Sequence, residues 1–117
     1  MLYRIGDISK LLGISLEGLR LYERQGVVHS QRDAKTGYRY YGHLDITALI
    51  RSRSYRHMGF GLDETAELLN TDSLDLIVQR YGEREEALRR EQLWLAAVTS
   101  YLRDLREVTA RAEELLG

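Results

Sequence analysis

The sequence predicts a mainly α-helical fold, a winged helix-turn-helix with a small β-hairpin wing, followed by a long C-terminal helix. Two short amphipathic stretches flank Gly13-Ile14-Ser15, a turn of the length that joins the two helices of a helix-turn-helix. A polar loop that ends at Gly37 separates two β-prone segments, which is the pattern of a hairpin. From Leu74 to the end of the chain, apolar residues recur every seven positions, which indicates a long pairing helix.

Length and charge restrict the domain count and the partner class. The 117 residues suffice for one small domain and an extension, but are few for two independent cores. Residues 1–60 contain ten Lys or Arg and five Asp or Glu, whereas residues 61–117 contain seven and thirteen. A basic half suits a polyanionic partner such as nucleic acid. Chance clustering of surface charge is the alternative.

Composition also argues against several classes of protein. There is no cysteine, so disulfides and thiolate metal sites within this chain are excluded. No apolar run approaches the ~18 residues of a membrane span, and no signal peptide begins the chain. The histidines are scattered, and no nucleophile–base pair or phosphate-binding glycine loop is present. We therefore expect a cytoplasmic protein that is not an enzyme, without cofactor, metal or membrane contact.

The first two helices are predicted at about 6–12 and 16–25. The hydroxyl of Ser15 can cap the second helix, and Gly26 stands where a left-handed residue would end it. On the first helix Ile5, Ile8, Leu11 and Leu12 share one side, and on the second Leu16 and Leu19 can face a core. Arg20 has two readings: it bridges acceptors on guanine in the major groove, or it pairs with a glutamate of its own helix.

The hairpin is predicted between Val27-Val28 and the segment from Tyr38 to Tyr41. The positive φ that glycine tolerates suits Gly37 to the tight reversal. Alternation sends Tyr38 and Tyr40 to one face, and Arg39 and Tyr41 to the other. We expect Arg39 to bind phosphate, because contacts that flank a recognition element usually position it. The extended start of the chain at Tyr3 can pair with the wing or pack beneath it.

Two further helices are predicted, one from about Gly42 to Gly59 and one at about 62–69. In the first, Asp45 can complement the helix start. Its apolar side is assigned to Leu44, Ile46, Leu49, Ile50 and Tyr55, and its basic side to Arg51, Arg53 and Arg56. In the second, the inward residues are assigned to Leu62, Ala66 and Leu69. We expect Phe60 to be a buried plug, and His57 to be either a phosphate contact or a plain surface histidine.

The C-terminal helix follows a polar break in which Ser73 can serve as the cap. Its heptad positions are Leu74, Tyr81, Leu88, Leu95, Leu102, Thr109 and Leu116, with a second series at Ile77, Arg84, Glu91, Val98, Leu105 and Ala112. This repeat favours a paired helix, antiparallel or parallel. Trp94, Tyr101 and Val108 widen the apolar stripe, and Gly82 marks a candidate kink or break.

A set of sequence landmarks in the first seventy residues also resembles a known family. The fragments are Tyr3-Arg4-Ile5-Gly6-Asp7-Ile8, Gly13-Ile14-Ser15, Leu19-Arg20-Leu21-Tyr22-Glu23, Gly26, Gly37-Tyr38-Arg39-Tyr40-Tyr41 and Met58-Gly59-Phe60-Gly61-Leu62-Asp63-Glu64. In order and separation they resemble the MerR family of transcriptional regulators. The resemblance divides the chain into a DNA-binding domain, residues 1–70, and a linker with a coiled-coil dimerisation helix, residues 71–117.

The resemblance implies a homodimer that binds a pseudo-palindromic promoter and distorts its spacer, so that RNA polymerase is affected indirectly. The DNA contacts it implies, together with the residue types, are Ser15, Glu17, Arg20, Tyr22, Tyr38, Arg39, Tyr41, Arg53, Arg56 and His57. The turn around His57 would be a second wing. The dimer is expected to be an antiparallel coiled coil through Leu88, Leu95, Val98, Leu102, Leu105 and Leu116.

Some positions depart from the family pattern and some questions stay open. Leu21 stands where a second Tyr is usual, Gly18 where Thr or a similar side chain is usual, and the family's proline after Gly26 is missing. The effector is expected to be a small molecule sensed outside this segment, although a short regulator without an effector is the other option. An architectural or excisionase-like DNA-bending protein without a promoter switch remains the alternative function.

Overall fold

The computed structural model describes residues 2–117, which are mainly helical with one small antiparallel sheet, as the sequence predicts. The elements in chain order are β1 (Tyr3–Arg4), α1 (Ile5–Leu12), α2 (Leu16–Arg24), β2 (Gln31–Arg32), β3 (Arg39–Tyr41), α3 (His43–His57), α4 (Leu62–Asn70) and α5 (Leu74–Leu116). The chain forms two compact units: one ends at Val78, and the other runs from Gln79 to Gly117.

The helix-turn-helix pair is fixed by local hydrogen bonds. The Ser15 hydroxyl accepts a hydrogen bond from the Gly18 amide at 3.0 Å, which confirms the predicted cap. Within the turn, the Ser9 hydroxyl donates to the Ile14 carbonyl at 2.6 Å. After α2, Gly26 has φ 76°, the left-handed conformation that ends the helix.

The sheet has the strand order β1-β3-β2 and both pairings are antiparallel. Tyr3 lies opposite Tyr41, so the start of the chain pairs with the wing, one of its two expected positions. The predicted first wing strand was wrong: strand β2 is Gln31–Arg32, and Val28 is buried in the core instead. Burying an aliphatic side chain stabilises more than pairing it at an exposed sheet edge.

The wing loop is closed by hydrogen bonds to Asp33. Its carboxylate accepts from the amides of Lys35, at 2.7 Å, and Thr36, at 3.2 Å. The Asp33 amide donates to the Tyr38 carbonyl at 2.8 Å, and Gly37 takes the positive φ of 76° that the reversal needs. The loop is therefore an ordered support for the aromatic and basic residues that follow it.

Two hydrophobic clusters form the core of the first unit. The larger contains Ile8, Leu12, Leu19, Tyr22, Val28, Tyr41, Leu49 and Ala66. The smaller contains Tyr55, Phe60 and Leu68, so Phe60 is the predicted plug. Its ring meets Tyr55 edge to face, with centroids 5.8 Å apart.

Several residues assigned to apolar helix sides are exposed instead. These corrections concern Leu11, Leu16, Leu44 and Ile50. On α4 the buried leucine is Leu68, whereas Leu69 is only half-buried. Short neighbouring helices cover only part of the apolar face of a helix. The periodicity of the sequence therefore predicts which face is apolar, but tertiary packing decides which residues of that face are buried.

Helix α3 starts as predicted, because the Asp45 carboxylate accepts from the Gly42 amide at 3.3 Å. The Asp45 carboxylate also accepts a hydrogen bond from the His29 amide at 3.1 Å, which connects the segment after α2 to α3. Helix α5 runs without a break through Gly82, so the candidate break is not present. Its start is capped by Ser73, whose hydroxyl accepts from the Leu76 amide at 3.2 Å.

Candidate nucleic-acid interface

A groove of about 320 Å³ lies between α2 and the small sheet. Four arginines line it: Arg20 from α2, Arg4 from β1, Arg32 from β2 and Arg39 from β3. All four are exposed to solvent. Their guanidinium groups present planar forks of donors, the geometry that matches phosphate and guanine. The groove can therefore receive a polyanion whose backbone passes between the helix and the wing.

Glu23 connects the helix side of this groove to the wing. Its Oε2 lies 3.8 Å from Nη1 of Arg39, and the two side chains are 19% and 53% exposed, respectively. Glu23 also lies close enough to Tyr41 to affect its hydroxyl. Arg39 and Tyr41 thus share the β3 face directed at α2, as the predicted alternation requires.

Arg4 and Arg32 are groove residues that the sequence interpretation missed. The Arg4 guanidinium stacks on the Tyr38 ring, 3.9 Å from its centroid, which is a cation–π contact between β1 and the wing. Arg32 lies directly opposite Arg39 in the ladder. Their basic character was the available signal, but their location depends on strand register.

Two of the predicted DNA contacts are core residues. Tyr22 is 1% exposed and Tyr41 is 0% exposed, so neither side chain is accessible to a partner at the surface. Both rings pack in the larger cluster, because a tyrosine ring buries a large apolar area. Burial first, and then the nearby Glu23 carboxylate, raise the pKa of the Tyr41 hydroxyl above its ordinary value.

Other predicted contacts line a second, larger groove of about 950 Å³, beside the helix-turn-helix turn and the end of α3. Arg53 and His57 are exposed there. Arg56 donates from Nη1 to the Phe60 carbonyl at 2.9 Å, so part of its guanidinium supports the turn between α3 and α4. Ser15 lies at the same groove, but its hydroxyl already caps α2.

The start of α2 combines one exposed candidate with one packed glycine. Glu17 is exposed in the first turn. Gly18 is buried, and a Cβ there would lie 3.2 Å from Oγ of Ser15 and 3.4 Å from Cγ2 of Ile14. A side chain at residue 18 would therefore crowd the cap of α2, and Gly18 itself lines the second groove.

Within residues 2–117, no helix is both long and apolar enough to cross a membrane. The same residues contain no cluster of three or more His, Asp or Glu side chains placed to hold a metal ion.

Comparisons with known proteins agree with this geometry. A family model described as MerR HTH family regulatory protein matches residues 3–72. The HTH-type transcriptional regulator CueR of Escherichia coli O157:H7 is 35% identical over 66 residues, which are 56% of this chain and 49% of CueR. The mercuric resistance operon regulatory protein of Serratia marcescens is 37% identical over 68 residues, 58% of this chain and 47% of that protein. The chain thus matches about half the length of these relatives.

Two solved structures share the fold. A MerR family transcriptional regulator from Bacillus cereus has a TM-score of 0.70 at 21% identity, covering 89% of this chain and 79% of that one. HiNmlR, a MerR family regulator lacking the sensor domain and bound to promoter DNA, has a TM-score of 0.57 at 22% identity, covering 94% and 89%. Because the family model matches more than half of the sequence, the chain belongs to the MerR HTH family of regulatory proteins.

Proposed function

We propose that this chain is a sequence-specific transcriptional regulator that binds a pseudo-palindromic promoter as a homodimer and acts by distorting the promoter spacer. RNA polymerase is then affected indirectly, through the shape of the promoter. The observation that carries the proposal is the set of four exposed arginines around the groove between α2 and the wing. The named regulators with similar sequences, and the promoter-bound neighbour in fold, support it.

The proposed roles follow from where each cation is attached. Arg20 projects from α2, and a helix is the element that fits the major groove, so Arg20 reads base edges. Arg39 and Arg32 belong to the wing, and Arg4 to the strand beside it; we assign these three to phosphates, which position the protein. The remaining exposed candidates are Tyr38, which lines this groove, and Glu17, in the first turn of α2.

A second phosphate contact is proposed at the end of α3. Arg53 and His57 are exposed there, and Arg56, which has donors besides the one bound to the Phe60 carbonyl, lines the same groove. Contacts at both grooves would bind the duplex backbone on two sides of α2. The binding free energy of these contacts can offset the free energy of deforming a promoter, which is of order 1–6 kcal/mol.

Helix α5 is the proposed dimerisation element. It extends over 43 residues, and none of them is buried in the single chain. Its exposed or half-buried seam consists of Leu88, Leu95, Val98, Leu102, Leu105 and Leu116. A long helix with an uncovered apolar seam is stabilised by pairing, and we propose an antiparallel coiled coil.

The remaining assignments concern the cellular location, the absence of catalysis and the effector. We propose a cytoplasmic location and no catalytic activity, in keeping with the regulators that this chain resembles. A small-molecule effector would be sensed outside the 117 residues. A neighbour in fold that lacks its sensor domain was nevertheless bound to promoter DNA, so the segment is expected to bind DNA without an effector.

The DNA-binding proposal is tested with a duplex selected by this protein from a random library. Arg20→Ala is expected to weaken binding to that duplex at least tenfold and to relax base preference at the contacted position, since one bidentate Arg–guanine pair contributes about 1–3 kcal/mol. Arg24→Ala is the matched control, because it removes the same charge from the exposed end of the same helix, away from both grooves. Equal affinity and preference for Arg20→Ala and the unchanged protein would contradict the assignment.

The dimer is tested separately by sedimentation velocity. Leu102→Glu places a charge in the apolar seam of α5 and is expected to convert the dimer to monomer. Glu114→Gln, at an exposed position of the same helix, is expected to remain dimeric. A monomeric unchanged protein at micromolar concentration would refute the proposed dimer.

A further inference from the structure

Glu23 is a carboxylate among the arginines of the proposed DNA groove. It lines that groove with Arg20, Arg32 and Arg39. An acid in such a place repels phosphate and lowers the affinity for any duplex. Its presence therefore needs a physical reason beyond general attraction to DNA.

The environment of Glu23 ties it to the wing. Its side chain is only 19% exposed, and its Oε1 is buried, as is the neighbouring hydroxyl of Tyr41. The other oxygen, Oε2, faces Nη1 of Arg39 at 3.8 Å. A largely buried carboxylate is stabilised by a nearby cation, and Arg39 is the cation that lies next to Glu23.

The strand register adds a second reason for this pairing. Arg32 and Arg39 are directly opposite each other on β2 and β3. Like charges at directly opposed positions destabilise a strand pair. The Glu23 carboxylate, 3.8 Å from the Arg39 guanidinium, offsets part of that repulsion.

Arg39 still has donors to offer. Its side chain is 53% exposed, and a guanidinium carries five N–H groups in a rigid fork. One edge can face Glu23 while another binds a phosphate oxygen. A lysine ammonium, which is a compact point charge on a flexible stem, cannot hold both partners in that fixed geometry.

We propose that Glu23 is a positioning residue that makes the wing contact selective, by orienting Arg39 toward one phosphate at a fixed distance from the α2 contact. The inference rests on the proposed DNA-binding function and extends it. Phosphate positions shift with the sequence-dependent width and bending of the duplex. On a duplex whose phosphate is out of reach, Arg39 stays with Glu23 and gains no phosphate contact to offset its desolvation. Glu23 thereby converts DNA shape into a difference in affinity.

The test compares affinity for the selected duplex with affinity for a shuffled duplex of the same length and composition. Glu23→Gln is expected to bind the shuffled duplex several-fold more tightly and to lower the specificity ratio at least fivefold. Glu114→Gln controls for the one-unit change in net charge, and is expected to keep the ratio of the unchanged protein. A Glu23→Gln ratio within twofold of the unchanged protein overturns the inference.

Arg39→Lys keeps the test decisive if Glu23→Gln fails to fold, because residue 39 is exposed. It is expected to lower the specificity ratio at least fivefold, because an ammonium on a flexible stem does not hold Glu23 and a phosphate in one fixed geometry. An unchanged ratio in Arg39→Lys overturns the inference. Failure of the unchanged protein to prefer any duplex would instead refute the proposed function, so the two failures are distinguishable.

Discussion

Replacement of Arg39 by Ala gives a quantitative prediction about salt dependence. Each phosphate neutralised by a cation contributes about −0.9 to the slope of log affinity against log salt concentration. In the proposed homodimer both copies of Arg39 are lost, so the slope is expected to become shallower by about 1.8. Between about 50 and 200 mM salt, the affinity of Arg39→Ala should therefore fall about 12-fold less than that of the unchanged protein.

The measurement is fluorescence anisotropy of the selected duplex at four or more salt concentrations. Arg24→Ala serves as the control and is expected to keep the original slope, because Arg24 lies outside the grooves. A slope change near 0.9 would indicate one bound protomer and contradict the dimer. An unchanged slope would refute the assignment of Arg39 to phosphate.

Three further predictions concern stability. Ser15→Ala removes the acceptor of the Gly18 amide and is expected to cost about 1 kcal/mol in thermal unfolding, whereas Ser15→Asp should keep the cap. Phe60→Ala leaves a cavity in the smaller cluster and is expected to lower the unfolding free energy by about 3–5 kcal/mol. A loss below about 1 kcal/mol, which is typical of a surface substitution, would show that Phe60 is not a core residue. Because folding raises the pKa of Tyr41, the unfolded chain loses its proton first as pH rises above about 10, so the unfolding free energy should fall by up to about 1.4 kcal/mol per pH unit relative to Tyr41→Phe. Denaturant titrations between pH 8 and pH 11 check this difference, and parallel curves for the two proteins would contradict it.

The candidate site was only partly predictable. The residues alone left Arg20 with two readings, and the family resemblance favoured DNA, whereas Arg39 was expected to bind phosphate because it flanks the recognition helix. Both are exposed at the groove. Tyr22 and Tyr41 were assigned to DNA by the resemblance and by residue type. Tyrosine occurs both in cores and at surfaces, and the sequence alone did not show which side of the helix or strand packs against the rest of the domain. Arg4 was overlooked because its place beside Tyr38 depends on the pairing of β1 with β3, two strands that are far apart in the sequence.

The sequence by itself determined the local structure: the Ser15 cap, the end of α2 near Gly26, the reversal at Gly37 and the continuous C-terminal repeat. These features depend on interactions within a few residues of each other, so the chain specifies them wherever it folds. Only the tertiary structure decided that Val28 enters the core and that Glu23 meets Arg39, sixteen residues away. Such contacts depend on how separate elements pack, and packing selects among side chains that look equivalent along the sequence.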